Sequence, residues 1–397
     1  MTARAFSPFA PQQPAEWLPA RVALLCEPAI ETLFSILHTG AANFLRPFSL
    51  AKAREEHRAY RHLLEDHGVR VLELRTLLAG ADRARLVKWA RQAVALDFDP
   101  ALGAEAREEA LAQLEAALQA LDADSLVDVL MLRPTLHVAH NADMLDPTTR
   151  FSTRFSLAPL SPYYMRDPLI TTSAGVVITC LKLANRTVEN DLAACALEAL
   201  GIRPIYRVQP PGTLEGGDFI PCGDFVLQGQ GLLTNEAGVR QCLENGVYGH
   251  VEVAVVEAPQ QGMDEMHLDT YFAMLDRDLA VCLDARLSGD AEPAVRVYTP
   301  QRTAAACTYT LTRTVLFSRY LAEKGIQVIP ISKTEQAQFA ANMLTLGPRR
   351  VVAVKQAGAA FLQRLRAFDV DVSLVDFEAL SGGYGGPHCA SQVLLRA

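Results

Sequence analysis

Four short stretches of the sequence carry polar groups that a packed core would not choose. In YYMRDPLI, Arg166 and Asp167 precede a proline that ends regular structure. In GTLEGGDFIPCGDFVLQGQG, Glu215 and Asp218 bracket two glycines that let a ligand come close to the backbone. In MDEMHLDTYFAMLDRD, His267 and Asp269 stand two apart, so a strand would put both side chains on one face. In GGYGGPHCASQ, four glycines and a proline crowd Cys389. Each stretch alone has an ordinary reading: a surface ion pair, an Asx-type hairpin turn, a satisfied buried histidine, a thiol on a flexible tail. The His-Leu-Asp spacing would hold a metal only with a third ligand.

Together they describe a chemistry. A thiolate is the strongest nucleophile among ordinary side chains, which points to Cys389, and the glycines around it are expected to free backbone N–H groups and admit an extended substrate. His267 would serve as general acid and base, with Asp269 holding either the ring or the substrate. Asp167 and Glu215 then have no metal to bind and no second base to be. Two carboxylates facing a cysteine suit a planar cation such as guanidinium, whose five N–H donors form a fork and whose central carbon the sulfur can attack.

The elements that must position these groups follow a repeating pattern: the end of an amphipathic helix, a short break, then a β-branched strand. It occurs as LLEDHGVRVLEL, ALEALGIRPIYRV, YLAEKGIQVIPIS and RLRAFDVDVSLVD, with a looser copy in CLENGVYGHVEVAVVEA. In three copies a glycine stands where a helix C′ residue turns left-handed. The plain reading of five αβ units is a doubly wound sheet. Against it, GQGLLTN lacks the third glycine and the helix entry of a phosphate loop. Residues 77–132 are almost wholly helix-forming, and the loop HVAHNADMLDPTTRFSTRFSLAPLSPYY follows.

Bulk properties narrow the ligand. The 397-residue chain is 50% hydrophobic, with a net charge of −8 and pI ≈ 5.6, which argues against nucleic acid or an anionic membrane as partner. Its length admits two or three domains, or one repetitive domain. MTARAFSPFAPQQPAEW has no apolar centre of the signal-peptide kind, and no apolar run approaches the roughly 18 residues of a membrane span, so a soluble cytoplasmic protein is expected. The eight cysteines are dispersed without a C-x-x-C pair, which argues against zinc and a disulfide framework.

The RD of YMRDP, Arg186 in LANRTVEN, then LEGGD, HLDT, NMLTLGPRRVVAV and GGPHC stand in an order and spacing that resemble the arginine deiminases, within the guanidine-modifying (pentein) superfamily. The resemblance runs over nearly the whole chain and includes the helical insertion. It implies an α/β fold, a five-bladed α/β propeller with pseudo-fivefold symmetry, in which a catalytic domain over 1–397 is interrupted by a helical subdomain at 77–132. It implies Cys389 as nucleophile, His267 as general acid/base, and Asp167, Glu215 and Asp269 as the carboxylates that hold the guanidinium. Arg186 matches a position that binds the substrate carboxylate, and Asp218 falls among the substrate-binding positions. No cofactor or metal is implied.

Departures cluster at the substrate tail: Ser161 stands for an asparagine, Leu233 and Tyr384 for arginines, and FLRPFSL for a Phe-Asp-Asp stretch. The expected activity is cysteine-dependent hydrolysis of guanidino compounds, with L-arginine to citrulline and ammonia as the leading reaction. Citrulline or arginine dihydrolase activity, amidino transfer and non-catalytic guanidino binding are the alternatives. The expected partner is a small guanidino or ureido molecule, with homo-oligomerisation left open.

Overall fold

The computed structural model describes residues 9–141, 151–157, 161–249, 251–257, 262–302 and 307–397. One motif recurs. A central strand pairs antiparallel on one side, continues into a helix, and pairs parallel on its other side with the strand after that helix. Parallel pairing demands a crossover, and the helix supplies it.

The central strands and their parallel partners are Ala20–Leu25 with Arg70–Glu73, Val176–Ile178 with Tyr206–Arg207, Phe225–Gln230 with Glu252–Glu257, Leu279–Leu283 with Gln327–Ile331, and Arg350–Val354 with Asp371–Val375. Their helices are Leu50–Asp66, Glu189–Ala199, Glu236–Glu244, Phe317–Glu323 and Ala359–Ala367. All five helix-to-strand junctions read from the sequence are present. Gly68, Gly201 and Gly325 sit at φ of +79°, +69° and +70° just past their helices, while in the unit without a glycine Asp369 takes φ +56°.

The antiparallel partners are Gln392–Arg396, Leu169–Thr171, Phe219–Pro221, Phe272–Asp276 and Leu344–Gly347. The first of these comes from the far end of the sequence, so the first unit is completed last. Central strands such as LAVCL are buried at every position, which suits a strand covered on both faces.

A sixth sheet pairs Ala95–Phe98, Thr135–His140 and Phe151–Ser156, and the helices Ala104–Ala120 and Ala123–Leu132 lie between its first two strands. Two expectations are corrected here. The stretch 77–132 contains the strand Ala95–Phe98, and the segment taken as a connecting loop supplies two strands; residues 142–150 and 158–160 of that segment lie outside the described residues. The strand Phe151–Ser156 is exposed at five of six positions, so it lacks the apolar face from which a strand is read.

Among the described residues the sheets are separate, three- or five-stranded, and none closes on itself. The doubly wound alternative fails for the same reason. No helix among the described residues is long and apolar enough to cross a membrane. Cys26, Cys222, Cys242 and Cys282 are free and buried, behaving as small hydrophobes.

The returning strand is fastened by a buried ion pair. Arg396 Nη2 lies 2.8 Å from Glu16 Oε2, and its Nη1 donates to Leu18 O at 2.9 Å and Thr345 O at 2.7 Å. Arg396, with Arg166 and His388, holds the buried Glu16 carboxyl far below its usual range although burial alone would raise it. Arg396→Ala removes the nearest cation from the buried Glu16 and leaves it only the more distant Arg166 and His388, and breaking a buried pair in this way costs up to about 3–5 kcal/mol in comparable sites. Urea unfolding should register that loss, and Glu16→Gln in the same chain should return a substantial part of it.

Candidate active site

The chemistry-bearing residues occupy equivalent places in the five units. Each lies in the turn that leads into an antiparallel strand: Asp167 before Leu169, Glu215 to Asp218 before Phe219, His267 and Asp269 before Phe272, Asn342 before Leu344, and Cys389 before Gln392. Hydrogen bonds run from turn to turn. Arg166 N donates to Cys389 O (3.2 Å), Gly216 N to Asp167 O (3.0 Å) and Leu268 N to Asp218 Oδ1 (2.9 Å). Asn342 Nδ2 donates to Asp269 O (3.1 Å) and His388 N to Asn342 O (3.3 Å), which returns the circuit to its start.

His267 is not on a strand. It is the extended residue before the one-turn 3₁₀ helix Leu268–Thr270, so His267 and Asp269 diverge rather than share a face. His267 Nε2 donates to Glu215 Oε2 at 3.0 Å, and Nδ1 lies 3.7 Å from Asp167 Oδ1. Glu215 Oε1 accepts from Lys182 N, so both its oxygens are engaged. Gly217 is required here by space: a Cβ would stand 2.6 Å from His267 Nδ1.

On the opposite side, Asp269 Oδ2 lies 3.5 Å from Cys389 Sγ and accepts from His388 Nδ1 at 2.7 Å. Asp269 Oδ1 is buried and has no hydrogen-bond partner. Asn342 Nδ2 donates to Cys389 Sγ at 3.1 Å, while its Oδ1 accepts from Gly386 N and Cys389 N. The glycines beside Cys389 act through tight packing. Gly383 is not left-handed, and a Cβ on it would lie 1.7 Å from Tyr163 Oη; the left-handed residue of the loop is Tyr384, at φ +82°.

These groups surround a cavity of ≈ 30 Å³, room for about two waters, lined by Asp167, Arg186, His267 and Cys389 and also by Ser161, Leu233 and Tyr384. Arg186 forms part of its wall. Its Nη1 donates to Asp167 Oδ2 at 2.9 Å and lies 3.7 Å from Glu215 Oε2, while Nε and Nη2 grip Glu189 at 3.3 and 2.8 Å.

The ionisable groups in this small volume set one another's proton affinity. Burial lowers the basicity of His267, but Asp167, Glu215 and Asp218 outweigh it and raise its pKa to about 10, so the ring is protonated at neutral pH. Burial raises Asp167, yet His267 and Arg186 hold it below its ordinary value. Asp218, with burial dominant, is pushed up to about 6. Burial pushes the Cys389 thiol well above its ordinary value, and Asp269 and Asp167 push it further.

Asp167, Glu215 and His267 also bring ligand atoms within 4.8 Å of one another, a set able to meet a cation; the cation beside them is the Arg186 guanidinium.

The family model for arginine deiminase matches residues 43–396. The chain belongs to the arginine deiminase family. Members of this family are hydrolases acting on the C–N bonds of linear amidines. Similar curated proteins include the arginine deiminase of Halobacterium salinarum, 26% identical over 97% of this chain and 96% of that protein, and that of Mycobacterium avium, 28% identical over 86% and 87%. Among solved structures, DDAH from Pseudomonas aeruginosa complexed with citrulline superposes with a TM-score of 0.54 at 17% identity, covering 96% of this chain and all of that one. The inosamine-phosphate amidinotransferase of Streptomyces griseus gives 0.56 at 13%, covering 98% of each chain. The fold is thus the mixed α/β fold of the pentein superfamily.

Within this arginine deiminase family member, the five residues singled out as catalytic lie together, and Ser161, Leu233 and Tyr384 border the same cavity. Of the other two expected substrate-binding residues, Arg186 lines the cavity and faces the carboxylates, while Asp218 ties one turn to the next. Asn342, Glu189 and His388 were not singled out from the sequence. Asn342 heads NMLTLGPRR and His388 adjoins Cys389, but only the repeat's register marks the first as equivalent to Asp167.

An un-ionised resting thiol has a direct readout. Iodoacetamide should alkylate Cys389 with a pH midpoint above the ~8.5 of a free thiol, and saturating guanidinium ion at constant ionic strength should move that midpoint down by bringing positive charge to the sulfur. A midpoint at or below that of free cysteine would contradict the electrostatics described.

Proposed function

We propose that this protein deiminates guanidino compounds through a covalent amidino-thioether on Cys389, with L-arginine, giving citrulline and ammonia, as the reference substrate. One observation carries the reading: a guanidinium, that of Arg186, is already held by Asp167 beside Glu215 in the cavity that Cys389 lines. A site with these carboxylates is matched to a planar cation with forked donors.

In this reading the substrate guanidinium takes the place of Arg186 Nη1 at Asp167 and Glu215 and offers an N–H to the unpartnered Asp269 Oδ1. Its charge, arriving next to Sγ, favours loss of the thiol proton to solvent. The thiolate attacks the guanidinium carbon, forming a C–S bond and a neutral tetrahedral species. His267, protonated, gives its proton to one nitrogen; the C–N bond breaks, and ammonia leaves from a cationic amidino-thioether. Neutral His267 then takes a proton from water, hydroxide adds to the same carbon, and collapse breaks the C–S bond, the hydroxyl proton passing to the leaving sulfur, to give the ureido product and the free thiol. The proton lost by the thiol is recovered as ammonium. The circuit of five turns fits the same architecture, with the αβ units as five propeller blades about this cavity.

Incubated with L-arginine and with simpler guanidines, the protein should release ammonia and a ureido product in equal amounts. Cys389→Ala should abolish both. Acid quenching of the wild type should trap an amidino adduct on the peptide containing Cys389. Because the first half-reaction needs protonated His267, kcat/KM should fall as pH rises through about 10. Turnover that survives Cys389→Ala would defeat the proposal.

A further inference from the structure

The tail end of the cavity differs from the head. Beyond the carboxylates its wall is Leu183, Leu233, Met263, Met266, Tyr164 and Tyr384, with the uncharged polar side chains of Asn43, Ser161 and Thr270 among them. Arg186 is the one Lys or Arg among the described lining residues, and its three nitrogens are committed to Glu189 and Asp167. The adjoining stretches 158–160 and 258–261 contain no Lys or Arg in their sequence.

Arg186 is not readily released toward a tail. Glu189 is buried, its carboxyl raised by burial against the pull of Arg186, and its other donor is Ser161 N at 3.1 Å. An incoming guanidinium replaces Arg186 at Asp167 but brings nothing to Glu189, so the bidentate Arg186–Glu189 pair persists in the complex. Swinging Arg186 away would leave Glu189 charged, buried and without a cation. A carboxylate on the substrate tail would therefore meet a largely apolar, uncharged wall that offers it no free cation, with the carboxylates of Glu189, Glu215 and Asp269 nearby.

We infer that the preferred substrate is a guanidine on an uncharged, largely apolar tail, an N-alkylguanidine lacking a free carboxylate. The inference rests on the guanidino-hydrolase reading and concerns only the tail.

The test compares N-butylguanidine with L-arginine as substrates of the wild type. The alkylguanidine should exceed L-arginine in kcat/KM by at least about tenfold, since a site rejects a charged group that it leaves unpaired. Met263, 42% exposed at the mouth, accepts a larger side chain without cost to the core. Met263→Arg should raise kcat/KM for L-arginine about tenfold or more by supplying the missing cation, and lower it for N-butylguanidine, whose tail loses an apolar contact. A gain of this kind cannot arise from misfolding. A wild type that prefers L-arginine overturns the tail assignment and leaves the hydrolase reading intact. Failure to turn over either compound, with no adduct on Cys389, overturns the hydrolase reading and the tail assignment with it.

Discussion

Burying Asp167, Glu189, Glu215, Asp218 and Asp269 within one small volume is the constraint from which the rest of the site follows. Ionised carboxylates out of water repel one another and lose hydration, so each must find a cation, a donor or a proton. Arg186 and protonated His267 serve Asp167, Glu189 and Glu215; Leu268 N and a raised proton affinity serve Asp218; His388 serves one oxygen of Asp269. The remaining oxygen of Asp269 is left without a partner. Carboxylates thus outnumber cations in the unliganded site, and the unpartnered oxygen belongs to the aspartate whose other oxygen neighbours the sulfur. A guanidinium entering the site takes over the Asp167 contact of an arginine that stays on Glu189, and its charge is met by carboxylates already in place.

The circuit of turns explains how residues scattered from 167 to 389 hold such a geometry. Every unit contributes the residues just before its antiparallel strand, and each turn is bonded to the next through backbone or carboxylate groups. Displacing one turn disturbs a neighbour on either side. The glycines fit this picture as close-packing positions. At Gly217 and Gly383 any side chain would occupy space already taken by His267 or Tyr163. Cys389 is held by Asn342 from both ends, at its backbone N–H and at Sγ, and so is a firmly placed thiol rather than one on a mobile tail.

Much of this was legible in the sequence, for reasons tied to particular residues. Gly68, Gly201 and Gly325 mark helix ends because a left-handed C′ residue is a local requirement, and the valine-rich runs after them mark buried parallel strands. The acid, the thiol and the histidine were legible because such groups sit poorly in a core. Less visible were features set by tertiary contact. Phe151–Ser156 has too little burial to leave an alternating pattern. Asn342 is a neutral amide whose importance lies in reaching both Asp269 and Cys389. The position of Arg186 depends on Glu189, three residues on, and the resemblance supplied only a role for it at the substrate tail. His267 and Asp269 lie close in sequence as expected, yet a single 3₁₀ turn between them sends the two side chains to different partners.

The pairing of Gln392–Arg396 with Ala20–Leu25 also governs the order in which the molecule can be made. Some 370 residues separate these partners along the chain, so their encounter is the contact of greatest sequence separation in the sheets and closes the largest loop. Cys389 lies just ahead of that strand. While a ribosome is still extending the chain through the other four units, the carboxylates can assemble, but the sulfur has not been synthesised and the first sheet lacks a member. The proposed nucleophile is therefore added only to a scaffold whose other walls are already translated.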